Sequence, residues 1–320
     1  MKRYTVRAVL VAMVAALLSS SLAIGVKSSS STHTPEMDED EAVIRANVNL
    51  VTVYATVNDP TGYFISGLRL EDFEVFDNDI RQQIEYFTEE DVPISMGILF
   101  DTSSSMKDRL ARSSQALRRF LATSNKDDEF FLLTFNNTIN LTHDFTSSSE
   151  RIVNSLLDIT PTGLTAFHDA VYGGIEKVRC GKYPKRALLV ISDGQDNSSW
   201  YTRPELADFL REANVQLYAI SVPLEVNNPA QGWLEREGRD TLKLLTSLTG
   251  GRALFPQSMN ELDTMIGTVR SELRHQYSIG FTPSGGLDGR WHKLKVKIKD
   301  TAKKNIAVRC RAGYQARVQR

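Results

Sequence analysis

Five oxygen-bearing side chains stand out by type and spacing: Asp101, Ser103 and Ser105 in ILFDTSSSM, Thr165 in PTGLTAF, and Asp193 in VISDG. The alternation Asp101-x-Ser103-x-Ser105 lets one loop aim three oxygens at a single point. Small hydroxyls with a few carboxylates suit a hard cation that gives up its waters reluctantly. The chemistry expected of this set is coordination of a divalent ion of the Mg2+ type, with Mn2+ or Ca2+ as alternatives. The serines would be direct ligands, and the two carboxylates could act through water. A lone D-x-S-x-S is equally a helix cap, because Ser caps helices well. The Thr at a later loop and the Asp-Gly after a second buried run favour the metal.

Other chemistries are weaker. A serine hydrolase would want a strained G-x-S-x-G elbow, and none occurs. Neither G-x-G-x-x-G nor G-x-x-x-x-G-K-[ST] is present, which removes the usual nucleotide cradles. Phosphoryl transfer through Asp101 would need further carboxylates beside it. His143 falls on an expected edge strand and His168 at a helix start, so they read as surface and packing residues. Asp169 and Asp196 read as helix or loop caps, and Lys293, Lys295, Lys297 and Lys299 as one solvated strand face. No catalytic residue is expected, and the chain does not read as an enzyme.

The elements that must position these residues follow from hydrophobic pattern. From Ile94 to His275, strand-like runs (ISMGILF, EFFLLTF, RALLVIS, VQLYAIS, GGRALF) alternate with helical stretches. Alternation of this kind implies an α/β fold: a doubly wound, mainly parallel sheet with helices on both faces. ISMGILF and ALLVIS are continuously apolar, as strands covered on both sides require. TINLTHDF follows its predecessor too closely for a crossover and is expected as an antiparallel edge partner. In open sheets of this kind ligands sit beyond the carboxyl ends of the strands, where the strand order reverses. Asp101, Thr165 and Asp193 all fall at such loops.

Both flanks are β in pattern. Residues 43–92 include a turn at Asp59-Pro60-Thr61-Gly62 and a hairpin around Asn78-Asp79, while 276–320 carry QYSIGFTP, WHKLKVKIKD and NIAVRCRAGY. Each is short for an independent core. Both linkers leave the bottom face of a doubly wound domain. One discontinuous antiparallel β module, built from both flanks and docked opposite the candidate site, is therefore expected around a central domain at 93–275.

The chain has 320 residues, and its formal net charge of −1 gives no reason to expect nucleic acid. Lys2, Arg3 and Arg7 precede an uncharged apolar run from Ala8 to Val26, so residues 1–26 read as an export signal, with an uncleaved membrane anchor as the alternative. Residues 27–42 are polar, acidic toward their end and aperiodic, as a disordered tether would be. An exported chain, periplasmic, envelope-associated or secreted, permits one disulfide between its two cysteines, Cys180 and Cys310. Cys180 ends a helix at the bottom face and Cys310 lies in the module expected to dock there, so a bridge pinning module to domain is one expectation and two buried free thiols are the other.

The constellation of Asp101, Ser103, Ser105, Thr165 and Asp193 resembles the von Willebrand factor type A domain with its metal-ion-dependent adhesion site. The flanks LRLEDFEVFDNDIRQQIEYF and LRHQYSIGFTP…GRWHKLKVKIK…VRCRAGY look like the exported bacterial family called VWFA-related. The resemblance implies a Rossmann-like fold and a site in which Ser103, Ser105 and Thr165 supply hydroxyls while Asp101 and Asp193 bind through water or directly. It also implies a protein partner offering an Asp or Glu carboxylate to the ion. Two positions depart from the family pattern: Leu164 replaces a frequent Gly beside the metal Thr and could narrow access. Asp79 replaces a turn Gly and asks Asn78 and Asp79 for positive φ. An envelope-tethered scaffold whose metal only stabilises loops is the competing expectation.

Overall fold

Apolar runs with no polar face can only be covered on both sides, and that requirement organises this chain. The structure is a computed structural model that describes residues 50–89, 91–157, 159–222, 229–299 and 306–316. The expected signal or anchor, the tether and the first residues of the N-terminal β flank lie outside these. The chain first forms β1 (Val51–Asn58), β2 (Phe73–Asp77), β3 (Ile80–Gln82) and β4 (Tyr86–Thr88). Then follow β5 (Ser95–Asp101), α1 (Leu110–Ala122), β6 (Glu129–Phe135), β7 (Ile139–Thr146), α2 (Ser149–Asn154) and α3 (Phe167–Val178). Next are β8 (Arg186–Ser192), α4 (Arg203–Glu212), β9 (Gln216–Ser221), α5 (Pro229–Thr249), β10 (Ala253–Leu254) and α6 (Leu262–Arg274). The last strands are β11 (Gln276–Phe281), β12 (Trp291–Ile298), β13 (Ala307–Arg309) and β14 (Gly313–Gln315).

The middle of the chain builds a six-stranded sheet in the order β10-β9-β8-β5-β6-β7, parallel except for the hairpin partner β7. Every residue of β5 is buried, and alternate side chains serve opposite faces. Ile98 and Phe100 pack with α1, α2 and α6 through Leu117, Ile152 and Ile266. Leu99 packs with α3, α4 and α5 through Val171, Leu206 and Leu245. Gly97 leaves its space to Phe131: an added Cβ would lie 2.2 Å from that ring. The order reverses beside β5, since the chain runs outward to β6 and β7 and then returns to β8 on the other side.

The flanks interleave. One four-stranded sheet runs β13-β1-β11-β4 and another β14-β12-β2-β3, so each contains strands from both ends of the chain. Val53, Phe73, Val75, Tyr277, Phe281 and Val296 share one core between them. The hairpin of β2 and β3 turns on Asn78 (φ 47°) and Asp79 (φ 64°), the left-handed pair expected of a two-residue type I′ turn. The hairpin ends sooner than its pattern suggested, because Tyr86–Thr88 leaves to pair with β11 in the other sheet. Lys293, Lys295, Lys297 and Lys299 line the exposed side of β12.

This β module docks at the amino ends of the parallel strands. Arg311 donates to Asn214 just ahead of β9 and to the Thr52 carbonyl, and Arg309 donates to the Gly251 carbonyl. At the centre of the joint the fully buried Glu272 accepts from Tyr218 (2.8 Å) and from Arg309.

Two expectations change. The bridge between Cys180 and Cys310 is absent and both thiols are free. Cys180 is exposed past the end of α3, whereas Cys310 lies against Gly250 at the end of α5, and α4 stands between α3 and α5. The hydrophobic pattern predicts a helix over RDTLKLLTSLTG, but α5 starts well before it and continues through Gly238, where local propensity alone would favour a break.

Candidate functional site

Three loops meet above the switch in strand order. The first leaves β5 at Asp101, whose backbone neighbour Thr102 donates to the Phe135 carbonyl at the end of β6. The second precedes α3 and is stitched to the first by Thr162 N–H to the Thr102 carbonyl (2.9 Å) and Ser104 N–H to the Gly163 carbonyl (3.1 Å). Gly163 has φ of +80° and passes so close to Asn137 that a Cβ would lie 2.3 Å from its side-chain oxygen. The third follows β8 and joins the second where Asn197 and Ser198 N–H groups donate to the Thr165 carbonyl and Asn197 Oδ1 accepts from Thr165 N–H.

Within this frame Asp101 is fully buried. Its Oδ1 accepts from Ser103 N–H (2.9 Å) and its Oδ2 from Ser192 Oγ (2.6 Å). The hydroxyls of Ser103 and Ser105 lie 3.1 Å apart. Asp193 is 2 % exposed; one carboxylate oxygen accepts from Gln195 N–H, and Oδ2 has no hydrogen-bond partner among the described residues. Burial, then the nearby charge of Asp193, push the Asp101 carboxyl up to about 6, against the hydrogen bonds from Ser103 and Ser192. Thr165 is buried and held by its backbone, and among the described residues its hydroxyl makes no hydrogen bond to the other four. Leu164 beside it is exposed and turned outward.

Two residues the sequence did not single out belong here. Ser192 clamps Asp101 and also accepts from Gly194 N–H (3.1 Å). Arg109, just before α1, reaches back to donate to the Ser105 carbonyl and, at 3.4 Å, to the Val222 carbonyl. The N–H of Val222 in turn donates to the Ser192 carbonyl. Ser192 reads in sequence as the end of a strand and Arg109 as a helix-face charge, so only the folded loops disclose them.

The caps are as read from sequence. Asp169 accepts from Trp200 and Tyr201 N–H groups, and Asp196 accepts from Ser199 Oγ and pairs with His168. A groove of about 360 Å³ beside the third loop is lined by His168, Gln195, Asn197, Arg203, Glu237 and Thr241 among others.

A divalent ion fits this chemistry. An unpartnered buried carboxylate oxygen and two mutually repelling carboxylates ask for a cation, and paired hydroxyls offer it neutral ligands. Among the described residues no group of three or more His, Cys, Asp or Glu could hold a metal. A metal held here would therefore need the hydroxyls as ligands.

Residues 96–195 match the family model described as von Willebrand factor type A domain. The matched segment lies within the α/β unit, which has the von Willebrand factor type A fold, and it contains all five candidate ligands. Among solved structures, the chain is similar to an aerotolerance-related membrane protein from Bacteroides fragilis. The identity is 16 %, the TM-score 0.45, and the match covers 56 % of this chain and 98 % of that one. It is similar also to the vWF domain of the type V pili tip protein Mfa5 from Porphyromonas gingivalis (11 % identity, TM-score 0.44, covering 57 % and 96 %). A third is proximal thread matrix protein 1 from the mussel byssus with a zinc-occupied MIDAS motif (18 % identity, TM-score 0.46, covering 61 % and 48 %). No curated protein matches the chain.

Proposed function

We propose that this chain is an exported, metal-dependent protein-binding module of the adhesion type, capturing an Asp or Glu side chain of a partner protein. Ser103, Ser105 and Thr165 would hold a Mg2+-type ion through neutral oxygens, and Asp101 and Asp193 through charge, directly or by way of water. An ion held mainly by neutral ligands keeps its electrophilicity and an open position for an incoming carboxylate. The observation that carries the reading is the buried Asp193 Oδ2, without a hydrogen-bond partner among the described residues, whose carboxylate repels the buried Asp101 next to paired serine hydroxyls.

This chain's residues have defined parts to play. Ser192 keeps Asp101 oriented, Asn197 fixes the Thr165 backbone, and the groove beside the third loop leaves room for residues flanking the partner's acid. The test is affinity capture from an envelope extract with Mg2+ or Mn2+, with EDTA, and with metal restored. Capture lost in EDTA and recovered with metal is expected, and Thr165→Ala should abolish it. Capture indifferent to metal overturns the reading. The scaffold alternative predicts a different result: Asp101→Ala lowers the melting temperature while Thr165→Ala protein still captures the partner.

A further inference from the structure

Arg109 is an unusual neighbour for a cation site. Its guanidinium is tied to the Ser105 carbonyl on the first loop and to the Val222 carbonyl, one hydrogen bond from Ser192 on the third. Such a two-point hold keeps a positive charge fixed beside Asp101 and Asp193 instead of letting it swing into solvent. Burial lowers the guanidinium's proton affinity, and the charges of Asp193, Asp101 and the exposed Asp108 oppose that effect. The acids whose charge acts most strongly on Arg109 are thus the two candidate metal carboxylates. Yet the hydrogen bonds of both go to Ser103, Ser192 and Gln195, and none goes to the guanidinium.

We propose that Arg109 is a positioning residue that trades metal affinity for acid affinity: its fixed charge weakens capture of the divalent ion and strengthens capture of the carboxylate that follows. The inference rests on the metal-site reading above. With Arg109 in place, two carboxylates and one guanidinium leave the cluster with a single net negative charge. A divalent ion converts this to a single net positive charge. Without Arg109 the same cluster would be doubly negative when empty and neutral when loaded. A neutral loaded site has no long-range attraction for an acid, whereas a positive one does, and in a half-buried loop cluster salt screens that attraction only in part. The Ser105 carbonyl contact adds a second effect, because it fixes the loop carrying two of the candidate hydroxyls.

The two effects separate by sign. Loosening the loop alone lowers affinity for both the ion and the acid; removing the charge raises one and lowers the other. Mn2+ binding to the full chain can be followed by electron paramagnetic resonance. Displacement of water from the bound ion by a terminally blocked aspartate is read by water-proton relaxation. For Arg109→Gln we expect Mn2+ to bind roughly tenfold more tightly and the blocked aspartate at least severalfold more weakly. Arg109→Lys, which keeps the charge but not the fork, should bind Mn2+ no more tightly than the parent. Movement of both affinities in the same direction in Arg109→Gln, or of neither, overturns the inference while leaving the metal site standing. A parent chain that binds no Mn2+ removes the site and the inference together. A parent that binds Mn2+ but no aspartate removes the adhesion reading and the acid half of the inference.

Discussion

Asp101 sits where a carboxylate is costly. Its pKa is pushed from 3.8 to about 6, so the folded chain holds that proton more tightly than the unfolded chain between those values. The sign follows directly: without metal, stability falls as pH rises through this window, by about 3 kcal/mol in total, and the loss is complete above the folded pKa. Asp101→Asn should remove that slope, so in EDTA the variant gains stability over the parent as pH goes from about 4 to about 7. Denaturant unfolding of both proteins across the range is the measurement, and parallel profiles would contradict the electrostatic account. Saturating Mg2+ should restore the parent at pH 7, because a cation offsets the repulsion from Asp193. The residue types of this site are legible in sequence, since Asp, Ser and Thr at strand ends announce oxygen chemistry. What holds them is not legible. The Ser192–Asp101 and Arg109–Val222 contacts form only after strands far apart in the chain have been laid side by side.

The elements carry the site by close approach as much as by hydrogen bonds. Helix α5 lies against the third loop so tightly that a Cβ on Gly238 would stand 2.5 Å from the Asp193 carbonyl oxygen, with Gly194 backbone behind it. Neither partner is a flexible side chain, so the helix or the loop has to move. Gly238→Ala, a substitution that favours an isolated helix by up to about 1 kcal/mol, is expected to destabilise this protein by about 1–3 kcal/mol. It should also weaken Mn2+ binding, because Asp193 is displaced. Stabilisation of the variant with unchanged Mn2+ affinity would show that the loop yields freely. The same glycine explains why the start of α5 is hidden in sequence: local propensity argues for a break, and packing overrides it. By contrast β5 and β8 are plain from sequence, as nothing but a central strand accommodates so unbroken an apolar run.

At the scale of the molecule, the α/β unit and the β module are joined through a buried charged cluster. Glu272 has no exposed surface, accepts from Tyr218 and Arg309, and has Arg252 at 3.9 Å from its other oxygen. Gln276 donates to the same Tyr218 hydroxyl and to Thr56. Removing one member of a buried pair strands the others, so Glu272→Ala should cost about 3 kcal/mol in denaturant unfolding. A cost below about 0.5 kcal/mol would mean that the joint is held by other contacts. The interleaving of the flanks was expected from their shortness and from the geometry of the linkers, but the pairing of individual strands was not. Alternation of apolar residues says which face is buried, and says nothing of which strand lies next door.

The interleaved sheets have a consequence for how the protein is made. Among the described residues, the strands that pair with β1 are β11 and β13 and the one that pairs with β4 is β11, so these ladders cannot form until residues from Gln276 onward have left the ribosome. The central α/β unit can condense first, while the leading segment waits with open edges. A chain emerging in this order is most vulnerable to aggregation before its tail arrives, and a helper that shields β1 during synthesis would raise its yield.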